Sequence, residues 1–165
     1  MERSAIGDES GRSREIVVGV DGSDAGQRAL RWAVEEALVR GCAVRVVTAW
    51  VPEPLTEFAF ASTRDVPGEL EEDLRREVDE LLAELPEPPV VRISVAQGPP
   101  AAVLLDAATD ADLLVVGAHR GGLLREITLG SVSTTCVRHA RCPVVVLPPP
   151  RRSRQHGEPS VPPTA

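Results

Sequence analysis

Short apolar runs alternate along this chain with longer stretches in which apolar residues recur every three or four positions, a pattern that predicts strands alternating with helices. Glu15 to Val20 reads as a first strand. Ser23-Asp24 then caps a helix whose Ala29, Leu30, Ala33, Val34, Ala37 and Leu38 share a face, and Gly41 stops it. Ala43 to Trp50 reads as a second strand. Glu69 to Leu85 follows as a helix with Leu70, Leu74, Val78, Leu81, Leu82 and Leu85 on one stripe and an acidic opposite face. The third strand is Val90 to Val95. Pro99-Pro100 opens a short Ala/Leu helix that ends near Thr109, and Asp112 to Gly117 is the fourth strand. A glycine-bearing loop leads to a last helix over Ser131 to Ala140 and a fifth strand over Pro143 to Leu147.

Repeating βα units imply a parallel sheet with right-handed crossovers and helices on both faces. Strands one and four are unbroken apolar runs, as befits central strands covered on both sides, whereas strand three places Arg92 and Ser94 between Val91, Ile93 and Val95 as an edge strand can. The expected fold is therefore an open, doubly wound α/β sheet of five parallel strands in the order 3-2-1-4-5, Rossmann-like, with its switch point between strands one and four. Strand five then lies outermost although Val144-Val145-Val146-Leu147 is fully apolar. A bare apolar edge is a liability, so the pattern predicts a homodimer that covers Val144 to Leu147, with coverage by the chain's own helices as the alternative.

Composition narrows the chemistry. All 18 Lys+Arg residues are arginines, which removes the P-loop lysine, the Schiff-base lysine and the strand lysine of protein kinases together. A net charge of −7 disfavours a nucleic-acid partner by long-range steering. Three isolated cysteines, Cys42, Cys136 and Cys142, make neither a disulfide framework nor a zinc cluster and fit a reducing cytoplasm. No apolar run suits a membrane span or a secretory h-region. The expected organisation is a disordered leader over 1–13, one α/β domain over 14–148 and a disordered Pro/Arg-rich tail over 149–165.

In such a sheet a ligand sits beyond the carboxyl ends of the strands at the switch point. Two segments converge there: Gly19-Val20-Asp21-Gly22-Ser23 after strand one, and the stretch from Gly117 through Gly121, Gly122 and Gly130 to Ser131, Val132 and Ser133. Glycines let backbone approach a ligand, and free N–H groups at a helix start favour an anion. At such a site the Ser131 and Ser133 hydroxyls would add donors to a phosphate, and Asp21 would accept from a ribose hydroxyl or assist a bound Mg²⁺, although spacing gives the positions and not these roles. The same residues also read plainly as a turn with a helix cap, and Ser131 as an N-cap. The long segment Val51 to Gly68 reads either as a lid or partner-docking loop or as a poorly ordered loop with Phe58 and Phe60 tucked onto the sheet edge. His119, His139 and His156 lack any ligand spacing that would unite them.

Val18-Gly19-Val20-Asp21-Gly22-Ser23, Val115-Val116-Gly117, Leu129-Gly130-Ser131-Val132-Ser133 and His139-Ala140-Arg141-Cys142-Pro143-Val144 together resemble the universal stress protein family, over nearly all of Glu15 to Leu147. Its ATP-binding branch carries Gly, two residues, Gly, nine residues, Gly, then Ser or Thr. Gly117, Gly130 and Ser131 fall on that pattern, while Arg120 stands at the second glycine. The resemblance implies ATP, alone or with Mg²⁺, held by the Gly117 loop and by Gly130 to Ser133, with ribose or metal contact near Asp21 and adenine packing near Ala49. Arg120 either reaches the phosphates or weakens the site.

The expected function is regulatory ATP binding without catalysis beyond slow hydrolysis, with occupancy modulating dimerisation or partner docking. The alternative is an interaction module of the same fold that lost its pocket at Arg120. An adenylate-forming or dinucleotide-dependent enzyme fits less well, because the first turn is not GxGxxG and strand two ends in Trp50-Val51 instead of an acidic ribose ligand.

Overall fold

The computed structural model describes residues 14–52, 66–118 and 129–149. Five strands and four helices alternate: β1 (Glu15–Gly19), α1 (Asp24–Arg40), β2 (Ala43–Trp50), α2 (Val66–Ala83), β3 (Val91–Gln97), α3 (Pro100–Ala107), β4 (Leu113–Gly117), α4 (Ser131–His139) and β5 (Val144–Leu147). All pairings are parallel and the sheet order is β3-β2-β1-β4-β5. This is the order that the apolar continuity of β1 and β4 predicts, since both must be covered on two faces. Expected leader and tail residues 1–13 and 150–165 lie outside the described residues, as do Phe58, Phe60, His119, Arg120, Gly121, Gly122 and His156.

The alternation of side chains along each strand splits the core into two layers. Ile16, Val18, Val20, Val44, Val46, Leu113 and Val115 face α1 and α2, where they meet Ala29, Leu30, Ala33, Val34, Leu74, Val78 and Leu81. Val17, Val47, Leu114 and Val116 face α3 and α4, where they meet Leu104, Ala108 and Cys136. Helices therefore cover both faces, and every residue of β5 is partly buried at the outer edge. Among the described residues, no helix is long and apolar enough to cross a membrane.

Local chemistry sets the helix ends. Ser23 is the N-cap of α1, its hydroxyl oxygen accepting from the Gly26 N–H at 3.2 Å, and Gly41 closes the helix in the left-handed region at φ 64°. The second helix begins at Val66, three residues before the expected Glu69. Pro67-Gly68 reads as loop punctuation, yet proline is tolerated in a first helical turn because its missing N–H has no partner there.

On α2, Glu77 shows the cost of an unanswered charge. Its Oε1 is buried with no hydrogen-bond partner. Burial first, then the negative charges of Glu80 and Asp21, push its carboxyl pKa up. A carboxyl raised in the folded state binds its proton more tightly there than in the unfolded chain, so its contribution is fully present below the ordinary glutamate pKa and is lost as pH rises from there through the raised folded value. Glu77→Gln is therefore expected to raise the melting temperature by about 2 °C at pH 7 and to leave it unchanged near pH 3.5, where both carboxyl states are protonated. Thermal melts at the two pH values check this, and a lower melting temperature at pH 7 counts against it.

Candidate functional site

The chain leaves β1 through Val20 and Asp21 and enters α1 at once, while β4 ends at Gly117 and α4 starts at Ser131. Because β2 lies on one side of β1 and β4 on the other, the two connections part and open a crevice of about 200 Å³ at the switch point. Gly19, Val20, Asp21, Gly117, Gly130, Ser131, Val132, Ser133 and Ala49, all expected from sequence, line it. Ala25, Gly26, Val47, Pro100, Leu104 and Val116 complete the lining without having been singled out.

Glycine and alanine dominate the rim for steric reasons. A Cβ on Gly117 would stand 2.5 Å from the Ala25 carbonyl oxygen, so β4 and α1 touch only because position 117 has no side chain. A Cβ on Gly26 would stand 2.9 Å from Asp21 Oδ1, and one on Gly19 would meet Leu104 Cδ1 at 2.9 Å. The signal for Gly26 was present in the small pair Ala25-Gly26 beside the turn. Pro100 and Leu104 gave none, since helical apolar residues look alike whether they face core or crevice.

Asp21 holds its turn through one oxygen, Oδ1, which accepts from the Ser23 N–H at 3.1 Å and from the Ser23 hydroxyl. This is an Asx turn, closed by Gly22 at φ 73°. Gly22 and Ser23 thus shape the turn and cap α1, and neither lines the crevice. Among the described lining residues Asp21 is the one ionisable group, and no described cluster of three or more His, Cys, Asp or Glu residues suits a metal.

Across the crevice the structure corrects two expectations about α4. The N-cap is Gly130, not Ser131, so among the described residues no cap side chain accepts from the first-turn N–H groups, which leaves backbone donors at a glycine-fronted helix start. Ser133 is buried, and its hydroxyl donates to the Gly117 carbonyl at 3.0 Å, two residues past Val115, where the β1–β4 pairing ends and the strands part. Its proton therefore serves the backbone and not a phosphate. Cys136, fully buried one turn further on, has its thiol pKa pushed up by burial, as do Cys42 and Cys142, which leaves all three without thiolate character at neutral pH.

Residues 12–148 match the Universal stress protein family. A universal stress protein of Mycobacterium tuberculosis is 33% identical over 139 residues, covering 80% of this chain and 46% of the relative. A second from the same organism is 34% identical over 131 residues, covering 79% and 44%. The chain thus spans less than half the length of these curated relatives. Among solved structures, a universal stress protein from Lactobacillus plantarum superposes with a TM-score of 0.65 at 24% identity over 82% of this chain and 98% of that one. One in complex with cAMP gives 0.59 at 27% identity, covering 82% and 97%. One from Archaeoglobus fulgidus in complex with dAMP gives 0.58 at 29% identity, covering 81% and 96%.

Proposed function

Because the chain belongs to the universal stress protein family, we propose that its crevice is an adenine-nucleotide site with ATP as occupant, and that occupancy regulates assembly or partner docking in the cytoplasm. One observation carries the reading: the glycine-fronted N-terminus of α4 faces the crevice at the switch point, with Asp21 on the opposite wall. The helix start supplies amide donors and the positive end of a macrodipole to phosphate oxygens. The apolar floor of Val47, Ala49, Pro100 and Leu104 suits a base, and Asp21 suits a ribose hydroxyl. The cAMP and dAMP complexes of relatives at 27% and 29% identity support adenine nucleotides as the ligand class.

Mg²⁺ fits as a companion of the phosphates and not as a resident ion. One lining carboxylate, already accepting twice from Ser23, leaves most of an octahedral shell to phosphate and water oxygens. The same scarcity argues for binding over turnover, since no second lining carboxylate or histidine among the described residues pairs with Asp21 to activate a water. Titration calorimetry of nucleotide-free protein with ATP, Mg-ATP, AMP and cAMP tests the reading. Saturable heat at one site is the expected result, and no heat with any of the four overturns it.

A dimer through β5 belongs to the same proposal. The strand is apolar on both faces, lies at the sheet edge and is covered incompletely by α4. Val145→Arg is expected to convert a dimer to a monomer in light scattering, and an unchanged dimer mass rules this interface out.

A further inference from the structure

Among the described residues only three polar side chains are buried: Glu15, Thr48 and Ser133. Glu15 answers two arginines at the far end of the sheet. The two hydroxyls do something else, and they do it in parallel. Thr48 Oγ1 donates to the Val20 carbonyl at 2.8 Å, and Ser133 Oγ donates to the Gly117 carbonyl at 3.0 Å. Val20 directly follows β1 and Gly117 ends β4, the two strands that part at the switch point, and both residues line the crevice. Thr48 does not line it, although its neighbours Val47 and Ala49 do, because alternate residues of a strand face opposite ways.

The backbone geometry gives the first of these bonds a consequence. The Val20 N–H donates to the Val47 carbonyl at 3.0 Å, and the Val20 carbonyl accepts from Thr48, so both polar groups of Val20 are tied to β2. In a trans peptide the C=O and the following N–H point in opposite directions. Drawing the Val20 carbonyl towards β2 therefore points the Asp21 N–H away from β2 and fixes the peptide plane from which the Asp21 turn, part of the crevice lining, departs. On the other wall the Ala118 N–H is held by the Leu147 carbonyl of β5 at 2.8 Å, and Ser133 takes the Gly117 carbonyl, which registers the first turn of α4 against β4. A valine at position 48 would have nearly the same shape in a β2 already rich in valine but would leave the Val20 carbonyl without its donor, so what the threonine adds is the hydrogen bond.

We propose that Thr48 is a positioning residue of the nucleotide site: its hydroxyl touches no ligand and sets where the Val20–Asp21 wall stands relative to the start of α4. The proposal rests on the nucleotide reading above. Thr48→Val and Thr48→Ser are to be compared with wild type by calorimetry with AMP and Mg-ATP and by thermal melts. Val78→Ala, a core change on α2 in the layer that Val44, Val46 and Thr48 face, away from the crevice lining, serves as a destabilised control. Thr48→Val is expected to lose about tenfold in nucleotide affinity, on the order of one net hydrogen bond, while Thr48→Ser stays within about twofold and Val78→Ala melts lower yet binds normally. The proposal is overturned by normal affinity in Thr48→Val, by equal loss in Thr48→Ser, or by equal loss in Val78→Ala. Should wild type bind neither nucleotide, the functional reading fails while the positioning claim is still decided by the Asp21 amide resonance in nitrogen-15 spectra. It must shift in Thr48→Val and return in Thr48→Ser, and an unmoved resonance sinks the claim.

Discussion

Gly117→Ala is expected to destabilise the protein by about 3 kcal/mol, lowering its melting temperature by about 10 °C, and to weaken nucleotide binding at least tenfold. The cause is a collision with backbone, which rotamer changes cannot relieve. The added methyl would stand 2.5 Å from the Ala25 carbonyl oxygen, 2.6 Å from its carbonyl carbon and 2.8 Å from its Cβ. Either β4 or the first turn of α1 must retreat, and both carry crevice residues, Gly117 on one and Ala25 and Gly26 on the other. The Ser133 bond to the Gly117 carbonyl would be strained by the same movement. Gly130→Ala is the matched contrast. Its φ of −61° is open to any residue and nothing lies within 4 Å of an added Cβ, so its fold should lose less than about 1 kcal/mol. Melting curves and calorimetry on the two variants separate the roles. A Gly117→Ala protein that melts and binds like wild type would refute the packing argument.

That contrast also marks where reading the sequence stops. The strand order was legible because burial on both faces writes itself as unbroken apolar runs in β1 and β4, and exposure writes itself as the Arg92 and Ser94 alternation in β3. The convergence of Asp21 with Gly130 and Ser131 was legible because topology places strand ends and helix starts together at the switch point. The reason for each small residue was not. Gly117 reads from sequence as room for a ligand, whereas its nearest neighbour is the backbone of α1, a contact between residues 92 positions apart in the chain (117 − 25). Gly130, one step from the helix that fronts the crevice, does have open space. Ser131 and Ser133 are chemically alike in sequence, and only the fold, which sets Ser133 beside the end of β4, decides that it spends its proton on the Gly117 carbonyl. Thr48 hides more completely still, since a threonine within Val46-Val47-Thr48-Ala49 satisfies strand propensity and announces nothing.

Glu15 is the other buried polar residue that composition conceals, and removing its partners is expected to give the second large effect. Its side chain is 6% exposed at the amino end of β1, where Arg45 Nη2 meets one oxygen at 2.8 Å and Arg92 Nη1 the other at 3.0 Å. The arginines reach it from β2 and β3, which lie side by side with Arg45 opposite Arg92. They are 38% and 57% exposed, so each is solvated without its partner while the carboxylate is not. The energetics are therefore asymmetric. Either arginine alone can be replaced by alanine at about 1 kcal/mol, because the other still answers the charge. Removing both strands a buried carboxylate without a cation and should cost about 4 kcal/mol. Adding Glu15→Leu to the double variant should recover most of that loss, since the penalty belongs to the unpaired charge and not to missing contacts. Nucleotide affinity should stay within about twofold throughout the set, because Glu15 stands four residues from Gly19, about 13 Å along the strand from the crevice. Urea titrations of the four variants read the non-additivity directly. If the double loss equals the sum of the single ones, or if Glu15→Leu deepens it, the carboxylate is not the group whose burial the two arginines make tolerable.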